Sequence, residues 1–350
     1  MPVKIRLTLF LAIALLLTDT TLFAQQHRGT YSFLDANFSP RVAALGGTML
    51  AIDDSDINLG VFNPSLINHA MHNNISLSYV DYFVGINFAS AQYARSFEKI
   101  GNFLATVQYQ NFGTTDQTDE AGNVTGTFNM SNYNVIIGWG RQLDARFSIG
   151  ANFKLIGTQY DSYGSFALAV DVAGSYHSET GWMFTLAARN IGVELKAHIS
   201  GDGSALPFSM QAGVAKKLDH VPFLFSIVFD NIQKWDLRYN DPLDLDSNYD
   251  PMTGKTNEDS GIEKFGDNLM RHFIFGGEFY IGKNIVLRGS YNYKRRQEMK
   301  MPDKSGMVGF SWGVGIRVSK FHINYARSTY HAVGSPNYIS ISTNLDNFLK

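Results

Sequence analysis

An acidic segment between residues 236 and 268 is the nearest approach to a metal-binding pattern in this sequence. It holds alternating oxygen ligands at Asp244, Asp246, Asn248 and Asp250, with Asp241 shortly before them. Carboxylate and amide oxygens are the ligands that calcium prefers. An EF-hand is excluded, because Tyr249 stands where that loop requires its turn glycine and Lys255 where it requires a bidentate glutamate. Three interpretations stay open: weak calcium binding, a surface that docks a partner, and a solvated loop.

A basic run at residues 294–300 has the residue types that bind phosphate. Its cations are Lys294, Arg295, Arg296 and Lys300. Guanidinium and ammonium groups form charge-assisted hydrogen bonds with phosphate oxygens, so the run predicts phosphate contact at the end of a strand over 284–297. Pairing with the acidic segment and a solvated loop edge are the alternatives.

Other chemistry is not indicated. The nine histidines lack metal-ligand spacing, since His69 and His72 lie three apart without a third ligand in view. The absence of cysteine excludes disulfides and thiolate catalysis. We therefore expect no catalytic residues, no resident metal and no cofactor, and a net charge of −2 gives no sign of nucleic-acid binding.

From about residue 74 onward, apolar and polar residues alternate in long runs that end in turns. The clearest run is 308–318, where every second residue is large and apolar and the others are Gly, Ser or Arg. Side chains of a strand point alternately to two faces, so this run has one apolar face. Only 17% of the residues are charged and 13% are aromatic. Together these features favour a lipid-facing barrel over a soluble β-sandwich.

The first 24 residues are predicted to form a signal peptide. Lys4 and Arg6 precede an apolar run over 7–17, and Ala24 ends a small-residue cleavage site. The alternative is a transmembrane anchor, which needs roughly 20 apolar residues and is therefore longer than this run. No later run is long enough for a membrane-spanning helix, so the rest of the chain could enter a bilayer only as a closed barrel.

We predict 14 antiparallel strands between residues 74 and 350, an even number as in single-chain bacterial barrels. The connections at one end are short, and those at the other end are longer: 113–126, 197–205, 239–268 and 298–305. In such barrels short turns face the periplasm and long loops lie outside. This places both termini in the periplasm of an outer membrane, and the basic run beside the phosphates of lipopolysaccharide.

Residues 25–73 are too few for a core of their own and are predicted to plug the barrel. The motif residues of this plug are Arg41, Gly46, Gly47, Asn63 and Pro64. Residues 39–47 predict a short helical turn closed by glycines. Asn63 and Pro64 predict the N-cap and the first position of a second short helix.

The plug motifs resemble those of the PorQ family of the type IX secretion system of Bacteroidetes. They are Ser39-Pro40-Arg41-Val42-Ala43-Ala44-Leu45-Gly46-Gly47, Asn63-Pro64-Ser65-Leu66 and Met71-His72-Asn73-Asn74-Ile75-Ser76-Leu77. That family is related to PorV and, more distantly, to the FadL-type channels, which are 14-stranded barrels with an N-terminal plug. The resemblance covers essentially the whole mature chain. An Asn-Pro-small-Leu motif alone indicates only the wider FadL-like group.

This resemblance implies a role without chemistry of its own. PorQ-type proteins belong to an attachment complex with PorV, PorU and PorZ, which fixes exported cargo to lipopolysaccharide, and PorU performs the transpeptidation. We therefore expect a non-enzymatic barrel that anchors a PorZ-like surface partner. The alternative is a FadL- or PorV-like barrel that transports a hydrophobic ligand or shuttles cargo, and it predicts a lipid-sized apolar cavity. An outer-membrane enzyme would need a cluster of titratable groups at the loop end, which the sequence lacks.

Overall fold

The computed structural model shows a closed barrel of 14 antiparallel strands among the residues that it describes. These are 29–48, 51–83, 85–198, 203–238, 261–301, 306–331 and 334–348, with the backbone of 249–250 and 255–256. In chain order the strands are β1 Asn74–Asp81, β2 Asn87–Phe97, β3 Gly101–Thr118, β4 Val124–Gln142, β5 Phe147–Tyr160, β6 Tyr163–His177, β7 Trp182–Lys196, β8 Ser209–Lys217, β9 Phe223–Phe229, β10 Phe273–Ile281, β11 Ile285–Asn292, β12 Phe310–Val318, β13 Phe321–Ser328 and β14 Asn337–Asn344. Each strand pairs with the next along the chain, and β1 pairs with β14, which closes the barrel. The predicted 14-stranded architecture is confirmed.

The two ends of the barrel differ in their connections. Those that leave even-numbered strands are short turns, at 98–100, 143–146, 178–181, 218–222, 282–284 and 319–320. We call this the short-turn end. The opposite, long-loop end carries the longer connections, at 197–208, 230–272, 293–309 and 329–336. All connections longer than five residues therefore lie at one end, as the sequence indicates, and that end also has short connections at 82–86, 119–123 and 161–162.

Several predicted connections differ from the structure, and two of them differ in kind as well as in length. The region 113–126 is mostly strand, because β3 and β4 continue as a hairpin whose turn lies at 119–123. The basic run is not the end of a strand, because β11 stops at Asn292 and a helix, α3, spans Tyr293–Met299. The Asn292 side chain accepts a hydrogen bond from the Arg295 N–H and so caps this helix.

The wall has one apolar and one polar face. In β12, Trp312 and Ile316 are exposed on the outside, whereas Ser311 is buried on the inside. The outer face is apolar because it meets lipid, and the alternation continues around the barrel. The strand predicted over 306–319 begins four residues later, at Phe310, after Gly309, whose positive φ of 90° breaks the extended backbone.

The N-terminal segment lies inside this wall as a small helical plug. It contains one α-helix, α1 Pro40–Ala44, and 3₁₀ turns at Ser32–Asp35, Ile57–Val61, Pro64–Leu66 and His69–Met71. The apolar core belongs mainly to the plug, with Val42, Leu45, Ile57, Leu59 and Leu66 all buried. A further helix, α2, spans Gly261–His272 at the long-loop end. Among the described residues, no helix is long and apolar enough to cross a membrane.

Candidate functional site

The central polar contact joins Arg41 of the plug to Glu278 of β10. Ser39 caps α1 by accepting a hydrogen bond from the Val42 N–H, and this short helix positions Arg41. Arg41 Nε and Nη2 donate to the two carboxylate oxygens of Glu278 at 2.7 and 2.9 Å. Both side chains are buried. The pair is therefore bidentate and shielded from water, which makes it strong and geometrically specific.

Two plug carboxylates also contact this arginine. Asp54 and Asp56 lie 2.6 and 3.4 Å from Arg41 Nη1. Burial acts to lower the pKa of Arg41, but Asp54, Glu278 and Asp56 together raise that pKa well above its usual range. The guanidinium group is therefore charged whenever the plug is seated.

Glu278 receives two further groups from the wall. Arg288 Nε donates to one carboxylate oxygen at 2.7 Å, and the Tyr280 hydroxyl donates to the other at 2.6 Å. Gly315 leaves room for the second arginine, because a Cβ there would lie 2.7 Å from Arg288 Nη1. We refer to Arg41, Glu278 and Arg288 as the plug latch.

The glycine pair after α1 forms a second contact with the wall. Gly46 has a φ of 109°, and a Cβ on it would lie 2.2 Å from Ile274 Cγ2, so only glycine fits. Gly47 also has a positive φ, of 89°. Arg295 Nη2 donates to the Gly46 carbonyl at 3.1 Å, and Nη1 donates to the Ser311 hydroxyl at 3.0 Å. Arg295 therefore connects the plug to the wall through hydrogen bonds.

Asn63 and Pro64 act at a third contact, against β4 and β5. The Asn63 side chain accepts hydrogen bonds from the Ser65 N–H and hydroxyl at 3.2 and 2.6 Å, which starts a 3₁₀ turn with Pro64 at its first position. A Cβ at Gly150 would lie 2.2 Å from the Pro64 carbonyl oxygen. A glycine on the wall thus lets the plug backbone approach it directly.

The inner face of the wall carries many polar residues, interspersed with apolar ones such as Leu104, Ile136 and Ile156 that pack on the plug. Its buried residues include Ser76, Ser78, Ser90, Gln92, Thr106, Gln108, Gln110, Asn132, Asn134, Asn152, Lys154, Thr158, Asp171, Gln211, Ser226, Ser290, Ser311, Asn324 and Ser340. These side chains are buried because the plug covers them. Several of their oxygens have no hydrogen-bond partner among the described residues: Ser78 Oγ, Ser90 Oγ, Gln92 Oε1, Thr106 Oγ1, Asn132 Oδ1 and Asn134 Oδ1.

A buried ion pair lies on this inner face. Lys154 Nζ of β5 is 2.7 Å from Asp171 of β6 and donates to the Asn190 side chain at 2.8 Å. Asn190 adopts a positive φ of 57° where β6 and β7 change register, and this bulge turns its side chain inwards. The Asn190 N–H donates to the Asp171 carboxylate at 2.8 Å.

Two cavities border the plug. The larger, of about 580 Å³, lies at the short-turn end, and its lining includes the charged residues Arg41, Asp56, Arg288 and Arg317 beside apolar ones such as Ile57 and Ile316. The smaller, of about 10 Å³, lies between plug residues and wall amides: Phe33, Leu34 and Phe38 face Gln108, Gln110, Asn132 and Asn134. The smaller cavity has room for about one water molecule.

The structure describes all of the plug motif residues but only part of the predicted loop sites. Asp241, Asp244, Asp246 and Asn248 lie outside the described residues, as does the side chain of Asp250. Within the described part of the chain, no three His, Asp or Glu residues form a group that could hold a metal ion. Of the basic run, Lys300 is exposed, and Lys294 and Arg296 are partly exposed. The prediction for Arg295 is corrected, because it points into the barrel and contacts the plug.

Glu278, Arg288, Lys154 and Asp171 are the site residues that sequence reasoning did not identify. A usable signal was present for Glu278, because it is a lone charge on the inward side of a strand whose outward residues include Phe275 and Phe279. An inward charge in a barrel strand needs a partner on the lumen side. The sequence does not show which plug residue supplies it.

Solved structures share this fold. The Ralstonia pickettii toluene transporter TbuX matches with a TM-score of 0.55 and 10% identity, over 89% of this chain and 99% of that chain. The Pseudomonas putida toluene transporter TodX matches with a TM-score of 0.52 and 12% identity, over 87% and 96%. No protein-family profile matches the sequence, and no curated protein sequence matches it either.

The fold and the site together define a plugged outer-membrane β-barrel. Its wall is closed and apolar on the outside, and its lumen holds an N-terminal plug on a polar wall. Within that class the architecture is the FadL-like one, with 14 strands, as in the two toluene transporters.

Proposed function

We propose that this protein is an outer-membrane transport barrel for a small hydrophobic ligand, closed by its N-terminal plug in the state described above. The observation that carries the proposal is a plug seated on a polar wall by a few specific contacts. The fold supports it, since it aligns with nearly the full length of two toluene transporters. In the membrane, the short turns and both termini face the periplasm and the long loops face outwards.

The polar groups of the wall favour a plug that can leave. Apolar wall residues such as Leu104, Ile136 and Ile156 also pack on the plug, but the wall beside them presents hydroxyl and amide groups that water can solvate once the plug moves. The wall therefore lowers the free energy needed to open the lumen.

The apolar side of the small cavity suggests where a ligand would enter. Phe33, Leu34 and Phe38 belong to the plug and form that side. At about 10 Å³ the cavity is far below the 300–1,000 Å³ of typical ligand sites. Ligand entry therefore requires residues 33–38 to move away from the wall.

Dye uptake across the outer membrane of intact cells tests this proposal. Cells that produce the protein should take up the hydrophobic probe N-phenylnaphthylamine faster than cells without it. Glu278→Gln should accelerate uptake further, because it weakens the plug latch. The matched control is Glu179→Gln, which removes an exposed pair with Arg146 and should leave uptake unchanged. Equal uptake with and without the protein would overturn the proposal. If the protein accelerated only the entry of the hydrophilic substrate nitrocefin, the proposed hydrophobic class of ligand would be wrong.

A second candidate function is the anchoring role in a type IX attachment complex. One observation favours it: the large cavity, of about 580 Å³, is lined by several charged side chains, among them Arg41, Arg288 and Arg317, which do not suit a hydrophobic ligand. In this role the barrel holds a PorZ-like protein at the surface, with PorU- and PorV-like members, while cargo is attached to lipopolysaccharide. The exposed Lys300 and the acidic segment around Asp244 would contact lipopolysaccharide or the partner.

A deletion strain separates the two candidates. Loss of the PorZ-like protein and of attached cargo from the cell surface, with unchanged N-phenylnaphthylamine uptake, would support anchoring. Retention of the PorZ-like protein and of the attached cargo at the surface of the deletion strain would exclude the anchoring role. Purification of the barrel in mild detergent, followed by identification of co-purifying proteins, gives an independent measurement of the same partners.

A further inference from the structure

The helix α2 at the long-loop end turns its polar side towards the protein and its apolar side outwards. Ile262, Phe265 and Leu269 are spaced three and four residues apart and form one stripe, which we call the α2 stripe. Ile262 is 86% exposed and Phe265 is 56% exposed. A surface helix in water has the opposite orientation, with its apolar stripe against the protein.

The polar side of α2 is held in place by hydrogen bonds. Asp267 accepts from Arg271 Nε and from the Tyr293 hydroxyl of α3, both at 2.8 Å. Burial acts to raise the pKa of Asp267, but its hydrogen bonds with Arg271 and Tyr293 lower that pKa below its usual value. The next residue, Asn268, accepts from the Leu237 N–H at 2.9 Å. These contacts fix the rotation of α2 and keep the stripe outside.

The α2 stripe continues the lipid-facing surface of the barrel. Phe275 and Phe273 of β10 lie on the outer wall, with ring centroids 6.0 Å apart, and Phe229 of β9 lies 5.1 Å from Phe273. His272 stacks on Phe229 at 4.8 Å and on Trp235 at 5.4 Å. Trp235 in turn lies 5.6 Å from Phe265. The rings form an unbroken path from the wall to α2.

The wall is low beneath this helix. β9 has 7 residues, which span roughly 23 Å along the strand and roughly 18 Å in height at a tilt of about 40°. The apolar band of an outer-membrane barrel is about 25 Å tall. The missing height, roughly 7 Å, is less than the roughly 10 Å diameter of a helix. The α2 stripe and Trp235 lie beyond the end of β9, the shortest strand of the barrel, where the apolar band falls furthest short.

We propose that α2 and Trp235 form a membrane-surface anchor that lies at the boundary between lipid head groups and acyl chains. The partner is the lipid bilayer itself, because the exposed apolar surface is continuous with the lipid-facing wall and restores its height. Trp235 has the character of a residue at this boundary, with an apolar ring that remains 49% exposed. This anchor is independent of the transport function and of the attachment role.

Nitroxide labels on single cysteines test the anchor directly, since the chain has no cysteine of its own. Ile262→Cys and Phe265→Cys place labels on the stripe. The matched control, Glu263→Cys, places an exposed label on the other side of the same helix. Full-length protein in vesicles of phosphatidylethanolamine and phosphatidylglycerol is measured by electron paramagnetic resonance against oxygen, which concentrates in lipid, and a water-soluble nickel chelate. Resistance to heat in gel electrophoresis confirms that each variant is folded.

The ratio of oxygen to nickel collision rates should be several-fold higher at the two stripe positions than at the control. Wild-type protein should also lose more tryptophan fluorescence than Trp235→Phe when the lipids carry bromine on their acyl chains. Similar ratios at all three labelled positions would overturn the anchor. Equal bromolipid quenching of wild type and Trp235→Phe would overturn the position of Trp235.

Discussion

The substitution Glu278→Gln is the most direct perturbation of the plug latch. Glu278 is completely buried and accepts two hydrogen bonds from Arg41 and one from Arg288. Glutamine keeps the shape but removes the charge, and its amide N–H₂ cannot accept from a guanidinium group. Asp54 and Asp56 remain beside Arg41, whereas Arg288 loses the carboxylate that it contacts in the structure.

The size of the effect follows from this geometry. Removal of one partner of a buried ion pair costs about 3–5 kcal/mol, and we expect about 3 kcal/mol because two acids stay with Arg41. At 1.4 kcal/mol per factor of ten, the population with an undocked plug should rise about 100-fold. The barrel itself should stay folded, since its strand pairing does not involve this carboxylate.

Maleimide labelling of Ala43→Cys measures the undocked population, because Ala43 is buried in the seated plug. When the plug reseats faster than the reagent reacts, the labelling rate is proportional to the undocked fraction. Glu278→Gln should therefore accelerate labelling about 100-fold, by the same conversion of free energy. Glu179→Gln, at an exposed pair, should leave it unchanged. An unchanged rate in Glu278→Gln would refute the latch.

Three further predictions concern the glycine turn, the wall and α2. Gly46→Ala should weaken plug docking by about 2 kcal/mol or more, because its Cβ would lie 2.2 Å from Ile274 Cγ2 on a backbone with positive φ, and the labelling assay measures this. Asp171→Asn should lower the free energy of unfolding in urea by about 3–5 kcal/mol, because Lys154 would be buried without an anion. The pKa of Asp267 is lower in the folded protein than in the unfolded chain. The stabilisation of the fold by its carboxylate is therefore present above the unfolded pKa of about 3.9 and is lost as the pH falls through the folded pKa. Amide hydrogen exchange of residues 261–272 should accelerate over that acidic range, and Asp267→Asn should remove this pH dependence.

Each of these predictions has a control. Gly122→Ala has a similar positive φ but nothing within 4 Å of the added Cβ, so equal effects at both glycines would contradict the clash with the wall. Replacing both members of the wall pair, as Lys154→Met with Asp171→Leu, should restore most of the stability, and failure to do so would contradict an effect of unpaired charge. Acid-induced exchange that is the same in Asp267→Asn as in wild type would exclude the carboxylate as its source.

Much of the fold was predictable because a barrel strand has a simple period. Alternation around Trp312 and Ile316 identified the apolar face, and the short turns separated one end of the barrel from the other. The roles of Gly46 and Asn63 were also predictable, because glycine is the usual residue where φ is positive and asparagine is a common N-cap. The helix at Tyr293–Met299 was missed, because a basic run with apolar neighbours does not distinguish helix from strand by pattern alone.

What the sequence determined by itself was the number of strands, the sorting of the connections and the presence of a glycine-closed plug helix. These follow from local periodicity and backbone preference. Only the tertiary structure decided that Arg41 meets Glu278, that Arg295 faces the plug rather than lipid, and that the stripe of α2 points outwards. The contacts of Arg41 with Glu278 and of Arg295 with the plug each join residues more than 200 positions apart in the sequence. They depend on barrel closure, which brings distant strands around one segment, and no local pattern encodes that.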